Sequence, residues 1–249
     1  MRYQFVDCRW ELGDPERGRE LYLEGHVPGA SFLDVERDLS ASAGSPPDRG
    51  GRHPLPAEGH FADAASRAGI GPSVFVVAYD QGMTGGAARL WWLLHHFGHE
   101  RVAVLAGGID AWLGPLESGE EEVESARFVP RPRTDDTVDA EGLVGRLGDA
   151  RLALVDARAP ERYRGDAEPI DTVAGHIPGA RNVPYTAAAA LPDDLLAAEE
   201  IVVYCGSGIT ACVDLLALHQ AGREDAKLYA GSWSEWSARG LPVERGGGS

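Results

Sequence analysis

Ile201-Val202-Val203-Tyr204-Cys205-Gly206-Ser207-Gly208-Ile209-Thr210-Ala211 reads as a buried strand, a tight glycine-rich turn and the opening of a helix. The first four residues form an apolar, largely β-branched run of strand length. Leu215, Leu216 and Leu218 then continue a helical pattern. That order places the Cys205 thiol at the carboxyl edge of a sheet, above a helix N-terminus. Amide donors and the helix dipole there favour a thiolate over a thiol. Glycines let the backbone curl, so several N–H groups can turn toward the sulfur. The stretch predicts sulfur chemistry at Cys205.

Moving outward, the same blocks occur twice in the same order. Phe5-Val6-Asp7-Cys8-Arg9 answers Leu154-Val155-Asp156-Ala157-Arg158, and Gly25-His26-Val27-Pro28-Gly29-Ala30 answers Gly175-His176-Ile177-Pro178-Gly179-Ala180. Val76-Val77-Ala78-Tyr79-Asp80 answers Ile201 to Cys205, and the stretch from Leu105 to Trp112 answers Tyr229 to Trp236. Four matched blocks define an internal duplication. Each copy alternates apolar runs with helical patterns, so the fold class is α/β, two tandem domains each built on a parallel sheet flanked by helices. The reading divides the chain into a first domain over 1–116, a polar linker over 117–137 and a second domain over 138–245. In the second copy it predicts strands near 152–156, 180–183, 201–204 and 227–229, with helices over 138–147, 208–221 and 232–239. The first copy opens directly on its strand, without the leading helix of the second. The acidic run Glu120-Glu121-Glu122 is expected to serve solubility, and 246–249 reads as a flexible tail.

Among 249 residues, 43% are hydrophobic and 25% charged, the balance of a water-soluble globular chain. A formal net charge of -16 opposes binding to nucleic acid or an anionic membrane. Three cysteines, Cys8, Cys205 and Cys212, imply no disulfide scaffold and point to a reducing, cytoplasmic location. No Cys and His cluster has zinc-site spacing, so neither a metal nor an organic cofactor is expected.

The Gly-His-Ile-Pro-Gly-Ala motif, the Cys-opened loop and Tyr229-Ala230-Gly231-Ser232-Trp233-Ser234-Glu235-Trp236 together resemble the rhodanese superfamily over nearly the whole chain, as a tandem pair whose second copy keeps the cysteine. The loop Cys-Gly-Ser-Gly-Ile-Thr-Ala looks like that of the 3-mercaptopyruvate sulfurtransferases, usually Cys-Gly-Ser-Gly-Val-Thr-Ala. Classical thiosulfate sulfurtransferases more often carry basic residues inside it. The resemblance implies a two-step relay: Cys205 takes sulfur from a small-molecule donor as a persulfide, and a thiol (a thioredoxin-like one included) or cyanide removes it. The loop residues Gly206, Gly208, Ile209, Thr210 and Ala211 would hold the persulfide's outer sulfur. The duplication already supplies a packed pair, which makes a monomer the simpler expectation.

The resemblance also assigns roles around the thiol. Arg162 matches the position whose guanidinium binds the donor's anionic group, a task suited to its planar fork; Arg164 is a weaker candidate. A second arginine usual in the 3-mercaptopyruvate enzymes is replaced by Ile170, which leaves thiosulfate a serious competitor as donor. Ser207, His53 and Glu36 match a proton-handling triad, with Glu36 standing where the family has aspartate. Asp80 replaces the cysteine in the first copy, so that copy cannot carry sulfur, and a loop-capping role is expected for it. His26 and His176 recur in both copies and read as structural, as do Asp7 with Arg9 and Asp156 with Arg158. Trp236 reads as core and Trp233 as a candidate for the pocket mouth. Cys212 and Cys8 read as buried and inert. Two alternatives carry less: a cysteine phosphatase would need arginine six residues after the cysteine, where Ala211 stands, and a persulfide-accepting relay module would show little turnover with small donors.

Overall fold

The computed structural model describes residues 2–41, 49–82 and 84–247. They divide into two compact units, one of residues 1–43 and 55–133, the other of residues 44–54 and 134–249. Residues 248 and 249 of the expected tail lie outside the described part. No helix among the described residues is long and apolar enough to cross a membrane.

The first unit runs β1 (Arg2–Asp7), α1 (Arg17–Glu24), β2 (Ser31–Phe32), α2 (Glu58–Arg67), β3 (Val74–Tyr79), α3 (Gly86–His96) and β4 (Val102–Val104). Its strands form one parallel sheet in the order β2-β1-β3-β4. Central β3 is a continuous apolar run, as a strand covered on both faces should be, whereas β1 is apolar only at Tyr3, Phe5 and Val6. The linker is strapped to this unit: Ala126 N donates to Ser66 O, and Arg131 N to Phe97 O.

The second unit runs α4 (Ala140–Val144), β5 (Leu152–Asp156), α5 (Pro160–Arg164), β6 (Arg181–Asn182), α6 (Asp193–Leu196), β7 (Glu200–Tyr204), α7 (Ala211–Gln220), β8 (Lys227–Leu228) and α8 (Ser232–Ala238). Its parallel sheet has the matching order β6-β5-β7-β8. Leu154, Ile177, Val202, Tyr204, Trp233 and Trp236 belong to its apolar core. Register pairs Asp156 with Tyr204, so the chain leaves the sheet at Cys205. In open α/β sheets this carboxyl edge is where ligands bind. The expected helix over 208–221 starts only at Ala211, because residues 205–210 turn around the sulfur instead. The short helices α5 and α6 were not expected; five and four residues carry too little periodicity to be read.

The recurring Asp-x-Arg pairs are buried ion pairs. Arg158 reaches Asp156 at 2.6 Å and Gly175 O at 2.6 Å, and Arg9 reaches Asp7 at 2.6 Å and Gly25 O at 2.6 Å. Each arginine ties the strand end to the loop that carries the recurring histidine. His26 Nδ1 lies 2.8 Å from Tyr22 O and His176 Nδ1 2.7 Å from Tyr163 O, which fits the structural reading of both.

Candidate active site

The second unit places Cys205 immediately after β7, with Gly208 N donating to its Sγ at 3.1 Å. Among the described residues this is the one loop amide on the sulfur, where several were expected. Gly208 has φ +83°, and a side-chain carbon there would meet Ala230 O at 2.6 Å, so the loop needs glycine at this point. Cys205 is 1% exposed and counts among the buried core residues. Its loop is anchored from α8: Trp233 N donates to Cys205 O at 2.9 Å, Ser234 N to Gly206 O at 3.0 Å, and Cys205 N to Ser232 Oγ at 3.1 Å.

Ser232 is the one described non-glycine residue at positive φ, +54°. The repeat puts Gly108, φ +62°, at the same place in the first copy. A serine held in this conformation costs on the order of 1 kcal/mol or more. Its hydroxyl bridges the Cys205 amide and Tyr229 O, which offsets that cost and fixes where the thiol sits. The alignment alone offered no sign of this role.

Residues 49–54 group with the second unit and complete the polar wall of the site. Gly50 N donates to Glu235 Oε1 and Arg52 N to Ser234 Oγ. Gly51, at φ +79°, comes so close that a side-chain carbon would lie 2.3 Å from Gly231 O. This anchoring presents His53 to the loop, with Nδ1 2.7 Å from Ser207 Oγ. Both side chains are buried. Glu36, the expected third member, belongs to the first unit, where its amide donates to Asp34 Oδ1. Burial, then the Asp34 charge, pushes the Glu36 carboxyl up.

Two guanidinium groups face the residue after the thiol. A side-chain carbon on Gly206 would lie 3.2 Å from Arg52 Nη2 and 3.3 Å from Arg162 Nη1. Arg162 is gripped along its Nε–Nη2 edge by Glu168, at 2.7–3.1 Å, and by Asp171 at 3.2 Å. Arg52 Nη1 pairs with Asp171, and Arg52 Nη2 lies 3.3 Å from Gly206 O. Its Nε is buried without a hydrogen-bond partner. Burial pushes the Glu168 carboxyl up, but the bonds from Arg162 outweigh it and hold Glu168 below the ordinary range. The acids thus hold the two arginines in place beside Gly206. Arg52 was missed because it stands far from Cys205 in sequence. Ile170 is a surface residue, 42% exposed, and Arg164 turns to Asp166 at the surface.

One expectation needs correction. Trp233 does not line a pocket mouth: it is fully buried, donates to Val173 O and lies under Arg158. Ile209 and Ala211 are buried, and Thr210 is the residue before α7. Glu120 pairs with Arg19 at the surface. Cys212 and Cys8 are buried as expected, and burial with the nearby Asp7 charge pushes the Cys8 thiol well up.

The first unit gives the cradle in another form. There the Asp80 carboxylate takes the amides of Gly82, Gly85 and Ala87 at 2.9, 3.1 and 3.2 Å. The same turn thus aims main-chain amides at a fixed carboxylate in the first copy and at the Cys205 sulfur in the second.

A tandem α/β protein with one cysteine-bearing cradle is the class that this geometry defines. The model of the rhodanese-like domain matches residues 1–114 and 139–239, and the chain belongs to that family. It is 44% identical to a probable 3-mercaptopyruvate sulfurtransferase of Pseudomonas aeruginosa, over 93% of this chain and 88% of that protein. It is 36% identical to human 3-mercaptopyruvate sulfurtransferase, over 97% and 87%, and 34% identical to rat thiosulfate sulfurtransferase, over 96% and 86%. The crystal structure of the Escherichia coli 3-mercaptopyruvate enzyme SseA superposes with a TM-score of 0.77 at 32% identity, covering 93% of this chain and 92% of that one. Like these relatives, the chain is a sulfurtransferase.

Proposed function

We propose that the chain moves sulfane sulfur from 3-mercaptopyruvate to a thiol or cyanide acceptor through a persulfide on Cys205. The observation that carries this is the juxtaposition of a main-chain donor on Sγ with Arg52 and Arg162 facing Gly206. Arg52 supplies the second cation that Ile170 does not, so a keto-acid carboxylate can be held between two guanidinium groups.

In the first step the Cys205 thiolate attacks the donor's thiol sulfur. An S–S bond forms, the donor's C–S bond breaks, and its electron pair leaves as the pyruvate enolate. The Ser207–His53 pair then delivers a proton to the enolate carbon. In the second step an acceptor thiolate or cyanide attacks the outer sulfur and returns Cys205 as the thiolate. The relay keeps to Ser207 and His53, and substitution of Glu36 tests whether it takes part.

Thiosulfate is the second reading, favoured by the cationic pair, which suits a sulfonate equally, and by similarity to the rat enzyme. With this donor the leaving group is sulfite and needs no proton. A small-molecule acceptor or a thioredoxin-like thiol fits the second step. Three free cysteines fit a reducing cytoplasm.

The test is kcat/KM for each donor with the full chain and with Ser207→Ala. We expect 3-mercaptopyruvate to be the better donor, and the serine substitution to lower its use roughly a hundredfold or more while changing thiosulfate use only a few-fold. Equal losses with both donors, or negligible turnover with either, would contradict the assignment; the latter would favour a relay module.

A further inference from the structure

In the first unit, His26 is 1% exposed and its ring stacks on Tyr22 at 4.2 Å. Its Nδ1 lies 2.8 Å from the Tyr22 carbonyl. A carbonyl can only accept, so Nδ1 carries a hydrogen and Nε2 is the nitrogen able to bind a metal ion. That Nε2 is buried and has no hydrogen-bond partner among the described residues. One carboxylate oxygen each from Glu117 and Glu121 lies with the His26 nitrogen in a set within 4.8 Å of one another.

The second copy provides an internal comparison. His176 repeats the arrangement, with Nδ1 on Tyr163 O and the ring stacked at 3.8 Å. There a single carboxylate, Glu244, approaches Nε2 at 3.9 Å, and its Oε2 already accepts from Gly179 N at 3.1 Å. The first copy has gained a second carboxylate, Glu121, and leaves the imidazole nitrogen without a partner. Glu117 is pinned beside His26 by reciprocal main-chain bonds of 2.8 and 2.9 Å. Two carboxylates crowd a buried nitrogen lone pair there, and neither forms an ion pair with a cationic side chain among the described residues.

We propose that His26 Nε2, Glu117 and Glu121 form a divalent-cation site that takes zinc. A nitrogen and two carboxylate oxygens are a donor set zinc accepts, with water completing the coordination. The bond from Nδ1 to a carbonyl is the outer contact that orients a metal-binding imidazole. The ion would offset the two negative charges and tie residues 117–121 to the turn carrying His26. Its role is structural, because the sulfur-transfer steps above do not use it.

The experiment is calorimetric titration of zinc chloride into the untagged Cys205→Ala chain, which removes the active-site thiol as a competing ligand. Glu117→Gln and Glu121→Gln in that background are the comparisons; both alter exposed or half-exposed side chains and keep the His26 packing. The expected result is one zinc per chain, affinity reduced at least tenfold by either glutamine, and a zinc-dependent rise in melting temperature that both variants lose. No stoichiometric binding, or binding unchanged in both variants, would overturn the proposal. Separate wild-type turnover assays keep it distinguishable from the sulfurtransferase assignment.

Discussion

Asp214 lies one turn into α7, fully buried, and neither of its carboxyl oxygens has a hydrogen-bond partner among the described residues. Burial first, then the charges of Cys205 and Asp156, push its pKa from 3.8 up to about 8. At neutral pH the native chain holds a proton here that the unfolded chain has released. The unfolded state binds fewer protons between about pH 4 and 8, so stability falls as pH rises through that window and the full contribution is present below it. The slope is a little over 1 kcal/mol per pH unit, on the order of 5 kcal/mol over the whole window. Asp214→Asn stays neutral throughout and retains a similar polar shape, so its stability lacks this slope. Denaturant unfolding of both proteins from pH 5 to 8 should show the variant's relative stability growing steadily toward pH 8. Parallel curves for the two proteins would refute the reasoning.

Four further outcomes follow from the same geometry. Arg52→Ala and Arg162→Ala should each raise KM for 3-mercaptopyruvate roughly tenfold to a hundredfold, the loss of one charge-assisted contact, as read from steady-state kinetics. Ser232→Ala keeps the positive φ but loses the bond to the Cys205 amide, and should lower unfolding free energy by about 1–3 kcal/mol with a fall in kcat. Arg158→Met leaves Asp156 buried without its partner and should cost about 3–5 kcal/mol, measured by denaturation. Glu36→Gln should lower kcat for 3-mercaptopyruvate less than Ser207→Ala does; an equal loss would make Glu36 a full member of the proton relay.

The thiol's location was legible because a β-branched run, a glycine turn and a helical pattern leave few placements for Cys205. Duplication was equally legible, since each Asp-x-Arg and Gly-His-x-Pro-Gly-Ala block reports a buried ion pair or turn that both copies need. Arg52 was not, because its place beside Gly206 depends on residues 49–54 grouping with the second unit, held by Gly51 against α8. Trp233 was misread for a related reason: the cation above its ring comes from Arg158, and no local pattern announces that contact. Ser232 drew no role from the sequence, and only its φ shows the conformation that glycine fills in the other copy.

Intact-mass spectrometry after brief exposure to 3-mercaptopyruvate tests the core of this account most directly. The wild-type chain should gain the mass of one sulfur atom, lose it on adding cyanide, and show neither change as Cys205→Ala. An unchanged mass in the wild type, or the same gain in the variant, would contradict a persulfide on Cys205.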